Sequence, residues 1–294
     1  MATVTDLVRP RAGRAVLGGT FFVLAPSLAS GAPVALPARS PRLPARQLHR
    51  LTPQATHLTP PQLRGVLAEG AHFTGRVWTG SAPASADLLT RLKAAGPDEA
   101  WSVYALTGLF PAAAVEQAAK AAFTGEGDLV GEPQPGVEAK TDAGGELLLS
   151  GPAAPHRYVG QAPAPWVATG DRARLDSGRI VLEGRCKDMV LKCAENICPG
   201  LYENAVHEPG VDLALLVGIP AGDGDERLMA VVQPVRGADR ARRAALAGPL
   251  ARMGTPRPDA VLLAGIPLFG RSRKPDRAAT ARLAATRLQK EAGR

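Results

Sequence analysis

The sequence has few cysteines and no long apolar run. Its cysteines, Cys186, Cys193 and Cys198, follow the spacing C-x6-C-x4-C. They form no CxxC pair and no histidine follows at zinc-finger spacing, so the usual first ligands of a structural zinc site are missing. We interpret them as reduced thiols and predict a cytoplasmic protein. No stretch approaches about 20 unbroken apolar residues, so no membrane-spanning helix is expected.

Lysine is also scarce, because only seven of the 35 basic residues are lysine and the arginines are scattered among Ala, Pro and Gly. The net charge of +8 would favour a nucleic acid or an acidic membrane only if the basic side chains were clustered. No nucleic-acid partner is therefore predicted. With 45% apolar and 21% charged residues the chain should fold, and 294 residues allow two unequal domains.

The N-terminus leaves an alternative open. A basic start through Arg14 precedes an apolar run from Ala15 to Ala32, which is the order of a secretory signal peptide. Gly18 and Pro26 interrupt that run, and apolar residues continue beyond it. Export is kept as an alternative to the cytoplasmic location, and the N-terminal sequence of the mature protein would decide between them.

The first part of the chain alternates helix and strand signals. Residues 9–39 predict a helix followed by a short buried strand, "APVALPA". Thr59 and Pro60 start a predicted helix, and Ser85 caps another that ends at Gly96. Strands are predicted in "FTGRVWTG" and "AWSVYAL". This alternation predicts a parallel or mixed sheet with covered faces.

The pattern changes twice further along. Residues 125–185 consist of short runs separated by Gly, Pro and Asp-Ser-Gly turns, which indicates antiparallel strands. After Arg185 the alternation returns, with strands in "DMVLK", "DLALLVGIP", "ERLMAVVQPV" and "DAVLLAGIP". Helices are predicted in "PGLYENAVHE", in "ADRARRAALAGPLAR" and from Pro275 onward. This tail has the size of a small α/β domain.

The most specific stretch runs from Trp166 to Glu203, "WVATGDRARLDSGRIVLEGRCKDMVLKCAENICPGLYE". It resembles the signature of the adenylate-forming, acyl-CoA synthetase-like superfamily: TGD, a D-x-G turn, GR-x-K/D-D, K-x-x-G-x-x-I-x-P and a glutamate. "GSAP" and "VYALTG" upstream resemble the family's nucleotide-pocket turn and its Y-G-x-T-E segment, and "IPLFGRSRKPDR" downstream resembles its lysine loop. So many spaced matches are more specific than a lone glycine motif. The resemblance begins at about Gly18.

The resemblance implies an α/β fold in two parts. Residues 1–186 would form a partial AMP-binding core with a mixed sheet and a distorted barrel-like region, and residues 187–294 a small α/β lid domain. Lys187 occupies the family's hinge position, where backbone rotation lets the lid swing. The implied activity is ATP-dependent activation of a carboxylic acid as an acyl-adenylate. The acyl group would then pass to the thiol of coenzyme A or of phosphopantetheine on an acyl carrier protein.

The implied nucleotide ligands each have a simpler structural reading. Asp171 would accept hydrogen bonds from ribose hydroxyls, or it is a turn aspartate. Arg185 offers a planar fork to ribose or phosphate oxygens, or it is a surface arginine. Tyr104 would stack on adenine, or it packs in a core. Gly80 and Ala82 belong to the pocket turn.

Two further residues would act on the reacting groups. Thr107 would help to hold the α-phosphate or a metal-bound water, or it is a buried strand hydroxyl. Lys274, in a loop with Arg271, Arg273 and Arg277, would bridge the acyl carboxylate and the α-phosphate as charge develops, or it belongs to a solvated basic loop. The spacing of Lys274 after the GR-x-K-D motif favours the catalytic role.

The sequence also departs from the family pattern. Gly108 replaces the glutamate that holds magnesium and has no oxygen to offer a cation, so no metal ligand is assigned. Ala105 follows Tyr104 in place of glycine, and Ala194 replaces the loop glycine. The sequence contains no Ser/Thr/Gly-rich phosphate loop. Three hypotheses follow: an enzyme half that works with a separate N-terminal half, a non-catalytic protein that binds AMP, acyl-adenylate or a carrier protein, and an exported fragment.

Overall fold

The computed structural model describes residues 2–38, 42–157, 159–160, 162–193, 195–208, 210–222, 225–235, 246, 248–254, 256–270 and 273–292. The chain divides into two compact units. The first consists of Met1–Thr124, Leu129–Thr169 and Leu175–Ile180, and the second of Gly125–Asp128, Gly170–Arg174 and Val181–Arg294. The predicted domain boundary at residue 187 stays a prediction.

Helices and strands alternate in the N-terminal part of the chain, as the sequence predicts. The helices are α1 (Ala2–Val8), α2 (Phe21–Ala29), α3 (Arg42–Leu51), α4 (Pro60–Ala68), α5 (Ala86–Ala94) and α6 (Gln117–Ala121). The strands are β1 (Val16–Leu17), β2 (Val34–Ala35), β3 (Ala55–Leu58), β4 (Arg76–Gly80), β5 (Glu99–Leu106) and β6 (Leu109–Glu116).

The next segment is rich in strands. They are β7 (Asp128–Pro133), β8 (Glu138–Thr141), β9 (Glu146–Ser150), β10 (Val167–Asp176) and β11 (Arg179–Arg185). These strands continue one eleven-stranded sheet in the order β2-β1-β3-β4-β5-β6-β7-β11-β10-β9-β8. β1 to β5 pair in parallel, whereas β5 pairs with β6 and β8 with β9 in antiparallel fashion. The sheet is therefore mixed, and the predicted α/β class is confirmed. β7–β11, where a barrel-like region was predicted, continue this sheet, and the barrel stays a prediction.

Both faces of the parallel strands are covered by helices. One face packs with α3, α4 and α5 through buried side chains that include Leu48, Leu63 and Leu89. The other packs with α1 and α2 through Val8 and Val23. Because successive side chains of a strand point to opposite faces, one strand serves both cores.

Two predicted helix starts are confirmed by their caps. The Ser85 Oγ accepts the Leu88 N–H at 3.2 Å at the start of α5. The Thr59 N–H donates to the Gln62 side-chain oxygen at 2.9 Å at the start of α4. Both contacts satisfy groups that the first turn of a helix leaves without an intrahelical partner.

The prediction for residues 9–39 is partly wrong. The chain between α1 and β1 is irregular, and the predicted helix is limited to α2. The sequence reading missed β1, because a strand of two residues is too short to show an alternating pattern. β2 is half-buried at the edge of the sheet, whereas the sequence indicated a buried strand. The apolar run from Ala15 to Ala32 contributes Val16, Leu17 and Val23 to the folded core.

The chain after β11 begins with a 3-10 turn at Cys186–Asp188 and a hairpin of β12 (Val190–Lys192) and β13 (Glu195–Ile197). Helix α7 (Pro199–Val206) precedes a three-stranded sheet of β14 (Val211–Gly222), β15 (Asp225–Pro234) and β16 (Ala260–Leu263). A short hairpin of β17 (Leu268–Phe269) and β18 (Lys274–Pro275) leads into helix α8 (Arg277–Ala292).

The three-stranded sheet has a core on each face. One core joins Val206, Leu216 and Leu250, and the other joins Val231 and Ala284. Most of the helix predicted in "ADRARRAALAGPLAR" lies outside the described residues. Ala194 and Arg271 also lie outside them. Among the helices that the structure describes, none is long and apolar enough to cross a membrane.

Candidate active site

The pocket turn of the first unit starts where β4 ends. Gly80 is buried opposite Val103, and a Cβ at this position would lie 2.7 Å from the Val103 carbonyl oxygen. Only glycine therefore fits without a shift of the strands. Ser81 follows with a φ of +71°, which is unusual for a residue other than glycine, and Ala82 is half-buried. Strand packing fixes the start of this turn.

The "VYALTG" segment forms the end of β5 and a tight turn. Tyr104 is half-buried and pairs with Ala113 of β6. Thr107 and Gly108 are the two residues between the paired positions Leu106 and Leu109. Thr107 is exposed, so the alternative reading of a buried strand hydroxyl is wrong.

The Thr107–Gly108 turn does not fit a magnesium site. It offers one hydroxyl and no carboxylate, whereas proteins hold magnesium through one or two carboxylates together with phosphate oxygens. Within the described ranges, no group of three or more His, Cys, Asp or Glu side chains is arranged to hold a metal ion. No step is therefore assigned to a metal.

Two predicted nucleotide ligands, Asp171 and Arg185, contact each other in the second unit. The Arg185 Nε lies 2.7 Å from the Asp171 Oδ1, and the Asp171 side chain is nearly buried while that of Arg185 is half-exposed. Gly170 precedes the aspartate with a φ of +72°, and a Cβ there would lie 3.5 Å from the Arg185 Nη1. A charge-assisted bond to a guanidinium orients a carboxylate. Asp171 is thereby held in one position.

The turn between β10 and β11 explains how this pair forms. Ser177 and Gly178 both have positive φ, +52° and +81°, as a two-residue hairpin turn requires. Asp176 and Arg179 flank the turn and form their own ion pair at 3.0 Å. The same hairpin thus carries one ion pair at its turn and another toward its opposite end.

Cys198 is a structural thiol. Burial raises its pKa to about 11, and its Sγ donates to the Glu183 carbonyl oxygen at 3.0 Å. A buried thiol that stays protonated is a poor nucleophile.

Lys187 and Lys274 are both exposed. Lys187 lies in the 3-10 turn, and Lys274 lies opposite Phe269 in the β17–β18 hairpin. The Asp276 N–H donates to the Pro267 carbonyl oxygen at 2.8 Å, and its Oδ1 accepts the Ala279 N–H at 2.8 Å. Asp276 therefore joins the base of the lysine hairpin to the first turn of α8.

Arg277 is a residue whose role the sequence reading missed. Its Nε lies 3.2 Å from the Asp188 Oδ2, its Nη1 lies 2.7 Å from the Glu203 Oε1, and Nη1 also donates to the Leu216 carbonyl oxygen. Burial alone would lower the pKa of this guanidinium, but the Glu203 and Asp188 carboxylates outweigh burial and raise it. The one sequence signal was a cation in the first turn of a helix, where the helix dipole disfavours it.

The predicted residues line neither of two cavities in the described parts of the chain. One, of about 580 Å³, lies between α3 and the segment after α4 and includes Arg46, Arg50 and His72. The other, of about 450 Å³, is lined by residues of the second unit such as Lys192, Asp225 and Asp259. The structure brings together Asp171 with Arg185, and it anchors the hairpin of Lys274.

No family model matches the chain, but part of its sequence is similar to parts of known enzymes. Feruloyl-CoA synthase of an Amycolatopsis species is 34% identical over 116 residues, which are 36% of this chain and 23% of that enzyme. The fatty acid–[acyl-carrier-protein] ligase ScoC of Streptomyces coeruleorubidus is 34% identical over 116 residues, covering 33% of this chain and 22% of ScoC. The matches thus span about a quarter of each relative.

The fold is shared over nearly the whole chain. The solved structure of the amide bond synthetase McbA from Marinactinospora thermotolerans matches with a TM-score of 0.78 and 22% identity, covering 96% of this chain and 63% of McbA. More than a third of the McbA chain therefore has no counterpart in this match.

Proposed function

Because the chain is a homologue of acyl-CoA synthetases and fatty-acid ligases and has the adenylate-forming fold, we propose that it takes part in ATP-dependent activation of a carboxylic acid. A carboxylate oxygen attacks the α-phosphorus of ATP, the bond between the α-phosphorus and the bridging oxygen breaks, and pyrophosphate leaves. A thiol sulfur then attacks the acyl carbonyl, AMP leaves, and the thiol proton passes to solvent. The acceptor is coenzyme A or phosphopantetheine on a carrier protein.

The observation that carries this proposal is the Asp171–Arg185 pair. A carboxylate held in place by a guanidinium can accept hydrogen bonds from two vicinal hydroxyls without first being ordered, which lowers the entropy cost of binding. Asp171 is the ribose ligand in this proposal. Arg185, half-exposed, keeps donors for an oxygen of the same nucleotide.

Lys274 is the second functional group. Its ammonium is exposed on a hairpin whose base is tied to α8, so it can enter an active site while the hairpin keeps its shape. It would donate hydrogen bonds to the oxygens that gain negative charge as pyrophosphate leaves. We propose that residues 187–294 carry Lys274 to the nucleotide as a lid that turns at Lys187. Cys186, Cys193 and Cys198 form no disulfide, which agrees with a reducing compartment, and we propose a cytoplasmic location.

The experiment compares two similar ion pairs by calorimetry of AMP binding. Asp171→Asn should weaken AMP binding by about tenfold or more, as expected when a charged acceptor is lost. Asp176→Asn is the matched control, because Asp176 lies in the same strand and also pairs with an arginine. Equal effects of the two substitutions, or no AMP binding by the unaltered chain, would contradict the proposal.

Lys274 is tested in the chain joined with the N-terminal part of a relative. Lys274→Ala should slow carboxylate-dependent adenylation by a factor of about a hundred or more, equivalent to about 3 kcal/mol. Transfer from a preformed acyl-adenylate should change little. Lys290→Ala, an exposed lysine of α8, is the control. Equal loss in both steps would refute the role of Lys274.

A second candidate is a binding protein without catalysis, and Gly108 favours it. The Thr107–Gly108 turn supplies no carboxylate to hold a metal ion. Without that ion the β- and γ-phosphates of ATP would be weakly stabilised. In this case the isolated chain binds AMP about as well as Mg-ATP and shows no pyrophosphate exchange, and joining an N-terminal part does not restore exchange. Restored exchange would favour the enzyme.

A further inference from the structure

The β17–β18 hairpin that carries Lys274 also carries a large apolar side chain at its surface. Phe269 of β17 is 71% exposed, whereas its neighbour Leu268 is 37% exposed. A single exposed apolar side chain is common on protein surfaces and by itself indicates no function. Phe269 differs from an ordinary surface residue because of the residue that lies opposite it.

Phe269 and Lys274 form a cross-strand pair. In the antiparallel pairing of β17 with β18, Phe269 lies opposite Lys274 and Leu268 lies opposite Pro275. The side chains of directly opposite residues project from the same face of a strand pair, with Cβ atoms about 4.5–5.5 Å apart. Successive residues of one strand point to opposite faces. The Phe269 ring therefore lies on the same face as the Lys274 ammonium, and Leu268 lies on the other face.

Hydrogen bonds close this hairpin at both ends. At the turn, the Arg273 N–H donates to the Gly270 carbonyl oxygen at 3.1 Å, and the two residues have positive φ, +50° and +72°. At the base, the Asp276 N–H donates to the Pro267 carbonyl oxygen at 2.8 Å. Because a hairpin closed at both ends moves as one piece, the Phe269 ring accompanies the Lys274 ammonium.

The proposed role of Lys274 decides which group the ring would meet. The ammonium approaches the oxygens that join the acyl group to the α-phosphate, so a ring beside it lies next to one of these two groups. The phosphate is polar, and the ribose separates it from the adenine base. The acyl group is the neighbour that can be apolar. A phenyl ring gains free energy by removing apolar surface from water, and an aromatic or aliphatic acyl group offers such surface.

We propose that Phe269 is a specificity-determining residue, which covers the acyl group of the substrate while Lys274 contacts the carboxylate and the α-phosphate. The substrate class that fits is a carboxylic acid with an apolar acyl group, aromatic or aliphatic. This proposal rests on the proposed function. A charged or strongly polar acyl group would lose water to the ring without gaining a hydrogen bond, so it would bind less tightly.

The test measures the binding of stable acyl-adenylate analogues to the chain by calorimetry. Acetyl- and octanoyl-sulfamoyladenosine share the same nucleoside and differ only in the length of the acyl group. We expect the octanoyl compound to bind the unaltered chain more tightly by about tenfold or more. Phe269→Ala should remove most of this difference, whereas Phe269→Leu should keep most of it. AMP binding should not change in either variant.

Two further variants control for the loss of exposed apolar surface. Phe21→Ala removes a ring that is 68% exposed on α2 of the first unit, and Leu268→Ala removes the apolar side chain on the other face of the hairpin. Both should keep the difference between the two analogues. Equal losses in Phe269→Ala and Leu268→Ala, or equal affinities of the two analogues for the unaltered chain, would overturn the proposal.

The outcomes separate this proposal from the proposed function. AMP binding that depends on Asp171, together with equal affinities of the two analogues, would refute only the role of Phe269. A preference for the octanoyl analogue that Phe269→Ala removes, with no effect of Asp171→Asn on either analogue, would refute only the ribose site. Failure of the chain to bind AMP and both analogues would refute both.

Discussion

Replacing Arg277 should destabilise the second unit more than replacing any exposed arginine of α8. The Arg277 side chain is 25% exposed, and its partners Asp188 and Glu203 are 25% and 15% exposed. Arg277→Met keeps the aliphatic stem but removes the cation that contacts both carboxylates. Loss of one partner from a buried ion pair costs about 3–5 kcal/mol, and partial exposure of this network favours a value of about 3 kcal/mol.

Urea unfolding followed by circular dichroism provides the measurement. Arg282→Met is the control, because Arg282 is exposed on the same helix and its loss should change the free energy of unfolding by less than about 0.5 kcal/mol. Arg277→Lys should lie between the two, since lysine keeps the charge but loses the planar fork. If Arg277→Met costs no more than Arg282→Met, the network contributes nothing to stability and our reasoning is wrong.

Two further predictions follow from single sites. His57 is buried beside Trp78, with ring centroids 4.2 Å apart, and burial lowers its pKa to about 4. Between pH 6.5 and 4 the unfolded chain binds more protons, so the free energy of unfolding should fall with decreasing pH by about 3 kcal/mol. His57→Gln should reduce this slope in urea titrations at several pH values, and an unchanged slope would contradict the assignment. Lys187→Pro should restrict the predicted joint, because proline fixes φ near about −65° and disfavours helical backbone at Cys186. Limited proteolysis between β11 and β12 should slow, and unchanged cleavage would argue against a hinge.

Local features of the fold could be read from the sequence. Ser85 and Thr59 start helices because their caps act within three residues. The Asp-Ser-Gly signal indicated a turn, and Gly178 takes its φ of +81° without the strain that a Cβ would add. The order of the motifs from Trp166 to Glu203 indicated the resemblance to adenylate-forming enzymes. Tight spacing along one stretch of chain carries this information without any knowledge of the tertiary structure.

Other features were decided only by the tertiary structure. β1 and β2 contain two residues each, too few for a period. β1 forms a strand because β3 offers it a partner, and β2 forms one because β1 does. The contact of Asp171 with Arg185 depends on the path of β10 and β11. Arg277 reaches Glu203 across 74 positions of sequence, and no local pattern specifies such a pair. Sequence spacing therefore predicted which residues carry the proposed chemistry, whereas long-range packing decided which of them are held in place.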